Sequence, residues 1–309
     1  MNNPAKYSKL IKDACFEIGF DACGITKAAF LNEDAVRLKN WLDNSMHADM
    51  HYMANHFDKR TDASKLVPGA KSVVSVLLNY YTDEKQFDKD APIVSKYALG
   101  NDYHKVIKKK LKQLYKFINE NIVKTNGRFF VDSAPLLEKS YAQKAGLGWI
   151  GKNSCLINKK YGSFVFIGEL VLDLELQYDN EHYNHCGNCT RCIDACPTKA
   201  IIKPRVIDAR KCISYLTIEH KGDLNEIKDI NLHNRIFGCD ICQDVCPWNK
   251  KLTPHNVTEL QPNKDLLNLT KEQWKQLSKE QFNLIFKNSP VKRIGYENLI
   301  RNINILKDD

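Results

Sequence analysis

The stretch HCGNCTRCIDACPTKAI, residues 185–201, constrains this chain more than any other. Its cysteines, Cys186, Cys189, Cys192 and Cys196, fall as C-x2-C-x2-C-x3-C, with Pro197 directly after the last. That run is the bacterial ferredoxin signature, in which three thiolates ligate one 4Fe–4S cluster and the fourth ligates another. A ferredoxin is small, yet a long segment precedes this run and another follows it in a chain of 309 residues. Electrons held here are therefore meant for chemistry elsewhere in the same chain.

A second group, CDICQDVCPWN, supplies Cys239, Cys242 and Cys246, again with a proline, Pro247, after the last. A two-cluster ferredoxin would place one more cysteine three positions before Cys239, where this chain has Ile236. The upstream candidate is Cys212, and the 26 residues between it and Cys239 are an insertion. That insertion, 213–238, is expected to loop out and form one wall of a substrate cleft. With ligands crossed as in ferredoxins, one cluster takes Cys186, Cys189, Cys192 and Cys246, and the other takes Cys196, Cys212, Cys239 and Cys242. A pair of zinc sites also uses C-x2-C pairs, but zinc does not account for two C-x3-C-P endings. Cys15, Cys23 and Cys155 lack such spacing and read as small buried apolar residues.

Of the eleven cysteines, eight lie between Cys186 and Cys246, the clustering of ligands and not of a disulfide framework. The N-terminus has no apolar signal core and no twin arginine, and no run of about 18 apolar residues occurs, so a cytoplasmic protein without a membrane span is expected. The formal charge of +9 leaves room for a polyanionic partner but by itself speaks only to association.

Helical spacing predicts helices over 4–19 and 33–44, and over 103–123 with Val106, Ile107, Leu111, Leu114, Ile118 and Ile122 on one face. KSVVSVLLNYY (71–81) and RFFVD (128–132) read as strands, the second followed by a helix ending at Gly146. Residues 154–176 read as a hairpin turning at Lys160–Gly162. KEQWKQLSKEQFNLIF and YENLIRNINIL read as C-terminal helices. The fold class is α+β: a mixed domain over 1–180, a ferredoxin-like two-cluster domain over 181–253 and a short helical segment over 254–309.

The first domain must hold the chemistry, yet it shows neither a G-x-G-x-x-G opening a helix after a strand nor a Walker A loop. DYHKVI (102–107) begins like the D-x-H-x-x-G signature that supplies a histidine to cobalamin, but Ile107 stands in the glycine position. His104 is accordingly not read as a cobalt ligand.

KRTDASKLVPGAKSVV (59–74), KYALGNDYH (96–104), VDSAPLLEKSYAQKAGLGWIGKNSCLI (131–157), GSFVFIGEL (162–170) and SPVKRIGYENLIRN (289–302) together resemble the epoxyqueuosine reductases. The resemblance covers essentially the whole chain and includes the stretched second cysteine motif. It implies an oxidoreductase related to reductive dehalogenases, which reduces the epoxide of epoxyqueuosine at the tRNA anticodon wobble position to queuosine. Its cofactors would be base-off cobalamin, with no side chain as lower ligand, and two 4Fe–4S clusters. The first domain would bind the cobalamin, and the C-terminal helices would be a short version of the family's HEAT-like repeats.

By the same resemblance Asp132 matches the family's proton donor. Its place after the apolar Phe129, Phe130 and Val131 is expected to raise its pKa by desolvation, and capping of the next helix is the plain alternative. The matched cobalamin contacts are Arg60, Tyr97, Asp132, Lys152, Asn153, Ser154, Ser163 and Ser214. For tRNA the candidates are Arg191, His220 and Lys221, with Lys105, Lys108, Lys109, Lys110, Lys112 and Lys116 on the long helix. A monomer served by an unidentified electron donor is expected. The alternatives are a reductive dehalogenase-like enzyme and a ferredoxin-type electron carrier.

Overall fold

The computed structural model describes residues 3–228 and 230–306. SVVSVLLN becomes a strand with every residue buried, as a continuous apolar run requires when both faces are covered. Four strands, β1 (Ala22–Lys27), β2 (Ser72–Asn79), β3 (Gly127–Phe130) and β4 (Val165–Leu172), form one antiparallel sheet in the order β1-β2-β4-β3. Val74, Val76 and Leu78 of β2 pack on one face against Ile11 and Cys15 of α1 (Pro4–Glu17) and Ile107 and Leu111 of the long helix introduced below. The other face buries Val73 and Val171 against Tyr141, and Leu77 against Ala142. The α+β class is what this arrangement shows: an antiparallel sheet between helices.

α1 ends before Gly19, whose φ of +87° takes the chain out of the helix, and α2 spans Asn32–Asp43. The long helix α3 (Tyr103–Asn121) is capped by Asp102, whose side chain accepts the His104 N–H. Its buried stripe of Val106, Ile107, Leu111, Leu114 and Ile118 sets its rotation, so the first turn holds Tyr103 and His104 at the edge of the sheet. α4 (Glu138–Lys144) lies on the opposite face. It approaches so closely that a Cβ at Gly24 would sit 2.0 Å from the Ala145 carbonyl oxygen.

Two expectations are corrected. The chain does turn between Asn158 and Gly162, but the segment before the turn, Leu156–Ile157, pairs with Trp149–Ile150 instead of with β4. β4 is largely buried and finds longer partners on both edges, β2 and β3. The single helix expected over 271–286 is two, Lys271–Lys275 and Lys279–Ile285, because Ser278 and Gln281 close a capping box that starts a new helix.

The insertion begins as α5 (Ile213–Ile218) and returns as a short strand, Arg235–Phe237, parallel to Ile93–Val94. The C-terminal helices, ending in α6 (Gly295–Asn304), pack on this pair. Trp274, Phe286, Leu299 and Ile303 share one core with Val94, Leu99, Ile236 and Phe237. Asn302, fully buried in α6, donates to the carbonyls of Thr217 and Ile236. No helix among the described residues is long and apolar enough to cross a membrane.

Candidate active site

Cys186, Cys189, Cys192 and Cys246 line one cavity of about 140 Å³, beside Pro247 and Trp248. The fold thus brings three cysteines of the first motif to the last cysteine of the second. The rings of His185 and Trp248 each lie 4.9 Å from that of Trp149, edge on, and shield this cavity. The other four cysteines also group: Cys212 is close enough to feel the charge of Cys196, and Cys242 that of Cys239 and Cys212. Cys212 is the N-cap of α5, and the N–H groups of Tyr215 and Ser214 point to its sulfur. Ala200 N–H donates to Cys196 Sγ at 3.3 Å. Amide donors of this kind stabilise cluster thiolates and tune their potential. Among the described residues no three His, Cys, Asp or Glu side chains converge on a single ion. Four cysteines lining one cavity fit the ligand set of a cluster.

A larger cavity of about 390 Å³ lies at the start of α3, walled by Tyr97, Tyr103, Phe237 and Ile218 and edged by Asp132, Glu219 and Arg293. Asp132 leaves β3 in the left-handed region, at φ +57°. Its Oδ2 accepts from Tyr103 Oη at 2.9 Å and meets His104 Nε2 at 3.2 Å. His104 Nδ1 meets Asp102 Oδ1 at 2.7 Å, so neither ring nitrogen is free for a metal. The backbone N–H of Asp132 donates to Glu138 Oε1 at 2.6 Å.

The charges follow from these contacts. Burial pulls the His104 imidazolium down, but hydrogen bonds to Asp102 and Asp132 outweigh it and push its pKa up to about 9. The hydrogen bond from His104 holds Asp132 below the usual carboxylate range, against the effect of burial. This corrects the expectation of a raised Asp132: the apolar strand before it matters less than the polar first turn of α3. Burial, and then the charge of Asp132, push Glu138 up to about 8. Asp132 does not cap α4, which starts at Glu138 after Leu137.

Residues 185–249 match the 4Fe-4S double cluster binding domain, and residues 60–133 match the domain described as epoxyqueuosine reductase QueG, DUF1730. The epoxyqueuosine reductase of Cellulophaga algicola is 53% identical over 307 residues, 99% of this chain and 100% of that protein. This chain belongs to the epoxyqueuosine reductase family. Among solved structures, an epoxyqueuosine reductase with a tRNA-Tyr epoxyqueuosine-modified tRNA stem loop superposes at TM-score 0.86 and 29% identity, covering 97% of this chain and 80% of that one. A Bacillus subtilis epoxyqueuosine reductase, with the aspartate of its catalytic loop swung out of the active site, gives 0.85 and 28%, covering 97% and 81%.

The residues matched to the epoxyqueuosine reductases do not all meet in one place. Of the cobalamin set, Tyr97 and Asp132 line the larger cavity. Lys152 and Asn153 line the cysteine cavity, and Asn153 Nδ2 also reaches the Cys242 carbonyl at 3.3 Å, so this residue touches both cysteine groups. Ser154 sits at φ +61° beside Cys155, whose thiol is hydrogen-bonded with that of Cys242. Ser163 is buried and donates to Gln243 Oε1, and Ser214 sits on the amide edge of Cys212. Arg60 is 8% exposed, not a surface arginine; it donates from Nη2 to the Tyr52 carbonyl while Nε is buried without a partner.

Arg191 and Lys221 are exposed, whereas His220 turns inward, its Nδ1 3.0 Å from Asp49 Oδ2. On α3, Lys105 edges the cavity, Lys110 donates to the Ile18 carbonyl, and Lys108, Lys109, Lys112 and Lys116 are exposed. Sequence reasoning missed Tyr103, His104, Glu138 and Arg293 as parts of the site. DYH was a usable signal once a metal role for His104 was set aside. No local pattern marks Arg293, which reaches the cavity from the turn Pro290–Ile294 and pairs with Glu219.

Proposed function

We propose that this chain reduces the epoxide of epoxyqueuosine in the tRNA wobble position to the alkene of queuosine. The reaction breaks two C–O bonds, consumes two electrons and two protons, and releases one water. The observation that carries the reading is the Asp132 carboxylate at the cavity edge, bound by Tyr103 and His104, with the insertion between two cluster cysteines as the facing wall.

The eight motif cysteines would hold two 4Fe–4S clusters that deliver electrons singly. Cobalamin is the group we assign to the larger cavity. The aromatic faces of Tyr97, Tyr103 and Phe237 suit a flat macrocycle, and the full engagement of both His104 nitrogens suits a base-off corrin. Bound there, it supplies a strongly reducing metal centre for the epoxide. Tyr97 and Asp132 are proposed as contacts because they line that cavity; Arg60, Lys152, Asn153, Ser154, Ser163 and Ser214 are proposed on the sequence match.

Asp132 is ionised at neutral pH while His104 is protonated, so the pair holds one proton between Oδ2 and Nε2. As negative charge develops on the departing oxygen, the shared proton passes from His104 Nε2 by way of the Asp132 carboxylate to that oxygen, leaving His104 neutral, and solvent reprotonates His104 and supplies the second proton. Asp102 keeps the imidazole oriented, and Tyr103 fixes the carboxylate rotamer. We read the Asp132 loop as movable, as in the Bacillus subtilis relative. Lys105, Lys292 and Arg293 at the cavity edge, with the exposed Arg191 and Lys221, are the proposed tRNA contacts, the cations facing phosphates, whereas the inward-turned His220 is withdrawn from that set. The chain would work as a monomer in the cytoplasm with a separate electron donor, and the clustering of eight cysteines as ligands fits a reducing compartment.

The test is nucleoside mass spectrometry on tRNA carrying epoxyqueuosine, with anaerobic cluster-loaded protein and a reductant, with and without cobalamin. Conversion to queuosine only with cobalamin is the expected result. Bound cobalamin and intact clusters without conversion would move the activity to another reductive substrate, and absence of cobalamin binding would leave an electron carrier.

A further inference from the structure

We infer that Glu138 is a positioning residue, whose carboxyl oxygen clamps the Asp132 backbone and so aims the Asp132 carboxylate into the cavity. The inference deepens the function proposed above and rests on it for its catalytic consequence, though not for the clamp itself.

Asp132 is held in a conformation that a residue with a side chain adopts at a cost, φ +57°. Something must hold it there, and the Glu138 Oε1 acceptor, 2.6 Å from its N–H, is the contact on its own backbone. The other end of the loop is tied by the Leu137 N–H to the Arg60 carbonyl, at 3.3 Å.

Glu138 acts from a rigid post. α4 is pinned by Tyr141, whose hydroxyl accepts the Ala63 N–H at 2.7 Å and donates to the Ala29 carbonyl at 2.9 Å. It is also seated against β1 at Gly24. The groups facing Glu138 are Asp132 on the loop, Tyr103 and His104 on α3, Lys139 beside it on α4, and Glu169 on β4. Glu169 is itself fully buried, with Ser75 on Oε2 and no partner for Oε1. Two carboxylates, Asp132 and Glu138, thus share one small polar site, and the neutral form of Glu138 accepts the amide without repelling the carboxylate it positions. The bond from the Asp132 N–H itself favours ionised Glu138, so the clamp persists on ionisation, which adds a second negative charge beside the Asp132 carboxylate.

The experiment compares Glu138→Ala, Glu138→Gln and wild type as cluster-loaded full chains. Hydrogen–deuterium exchange of the peptide 131–137 reports the clamp without any substrate, and turnover and its pH profile report the consequence. In Glu138→Ala exchange should rise by about tenfold, as loss of one hydrogen bond allows. Its kcat should fall with KM for tRNA unchanged. Glu138→Gln, which keeps the acceptor, should restore slow exchange and most of kcat, and should lack the limb near pH 8 expected from Glu138 in wild type. Glu138→Asp, which withdraws the oxygen by one methylene, serves if the alanine variant does not fold, with fast exchange expected. Wild-type exchange in Glu138→Ala or Glu138→Asp would overturn the clamp, as would failure of Glu138→Gln to restore it. Wild type that converts no epoxyqueuosine while the exchange pattern holds would overturn the function and leave the clamp standing.

Discussion

The cysteine cavity and the Asp132 cavity are built in opposite ways. Cys186, Cys189 and Cys192 come from one short run and need only the second motif, with Cys246, to complete their set. The Asp132 cavity draws Tyr97, the Tyr103–His104 turn, Asp132, Ile218 with Glu219, Phe237 and Arg293 from segments far apart in the chain. A site assembled from near neighbours costs little chain entropy to close, whereas a distributed one depends on cores that hold its segments together. For the Asp132 cavity those are the core beneath the C-terminal helices and the sheet beneath α3. The first site should therefore fail through its own ligands, and the second through distant residues as well.

The largest effect should come from Cys246→Ser. Iron content should fall from about eight to about four atoms per chain, with the cluster absorbance halved and turnover lost by more than about 100-fold. Retention of both clusters would break the assignment of Cys246 to the first set. Asp132→Asn should leave iron content unchanged and lower turnover by about 10²–10⁴-fold, measured by nucleoside mass spectrometry.

pH separates the two sites next. The His104 pKa is raised from 6.5 to about 9, so its pairing with Asp102 and Asp132 stabilises the fold fully below pH 6.5 and is lost as pH rises through about 9. Turnover should fall with it, about tenfold by one pH unit above that point, while cluster absorbance stays constant. His104→Gln should abolish this limb of the profile; a limb that persists would place the proton elsewhere.

A remote lesion sharpens the contrast. Asn302→Leu removes both donors to the Thr217 and Ile236 carbonyls and should destabilise the chain by about 1–3 kcal/mol in thermal denaturation, with turnover falling more than iron content. Smallest is the charge test on α3. Lys105→Ala, at the cavity, should lower the salt slope of tRNA binding by about 1, and Lys116→Ala, farther along the helix, should leave it unchanged.

Much of this was legible in the chain itself. The C-x2-C-x2-C-x3-C-P spacing announces a cluster ligand set because ligand spacing is a covalent property of the chain. SVVSVLLN reads as a buried central strand and the Val106–Ile118 stripe as a buried helical face, because both periodicities follow from local backbone geometry. The two capping boxes at Thr270 and Ser278 were also written in the sequence, yet the apolar pattern running across them suggested one helix.

Only the tertiary structure decided the rest. Leu156–Ile157 could pair with either neighbour, and the choice depended on where β4 found its longest partners. The ionisation of Asp132 followed not from the apolar strand that precedes it but from Tyr103 and His104, brought alongside by the packing of α3. Glu138, six residues along, became its backbone partner because α4 is seated on the far face of the sheet. A pKa and a cavity wall depend on which groups are neighbours in space and how much water they exclude. Composition and spacing carry those quantities only once the chain has closed its long-range contacts.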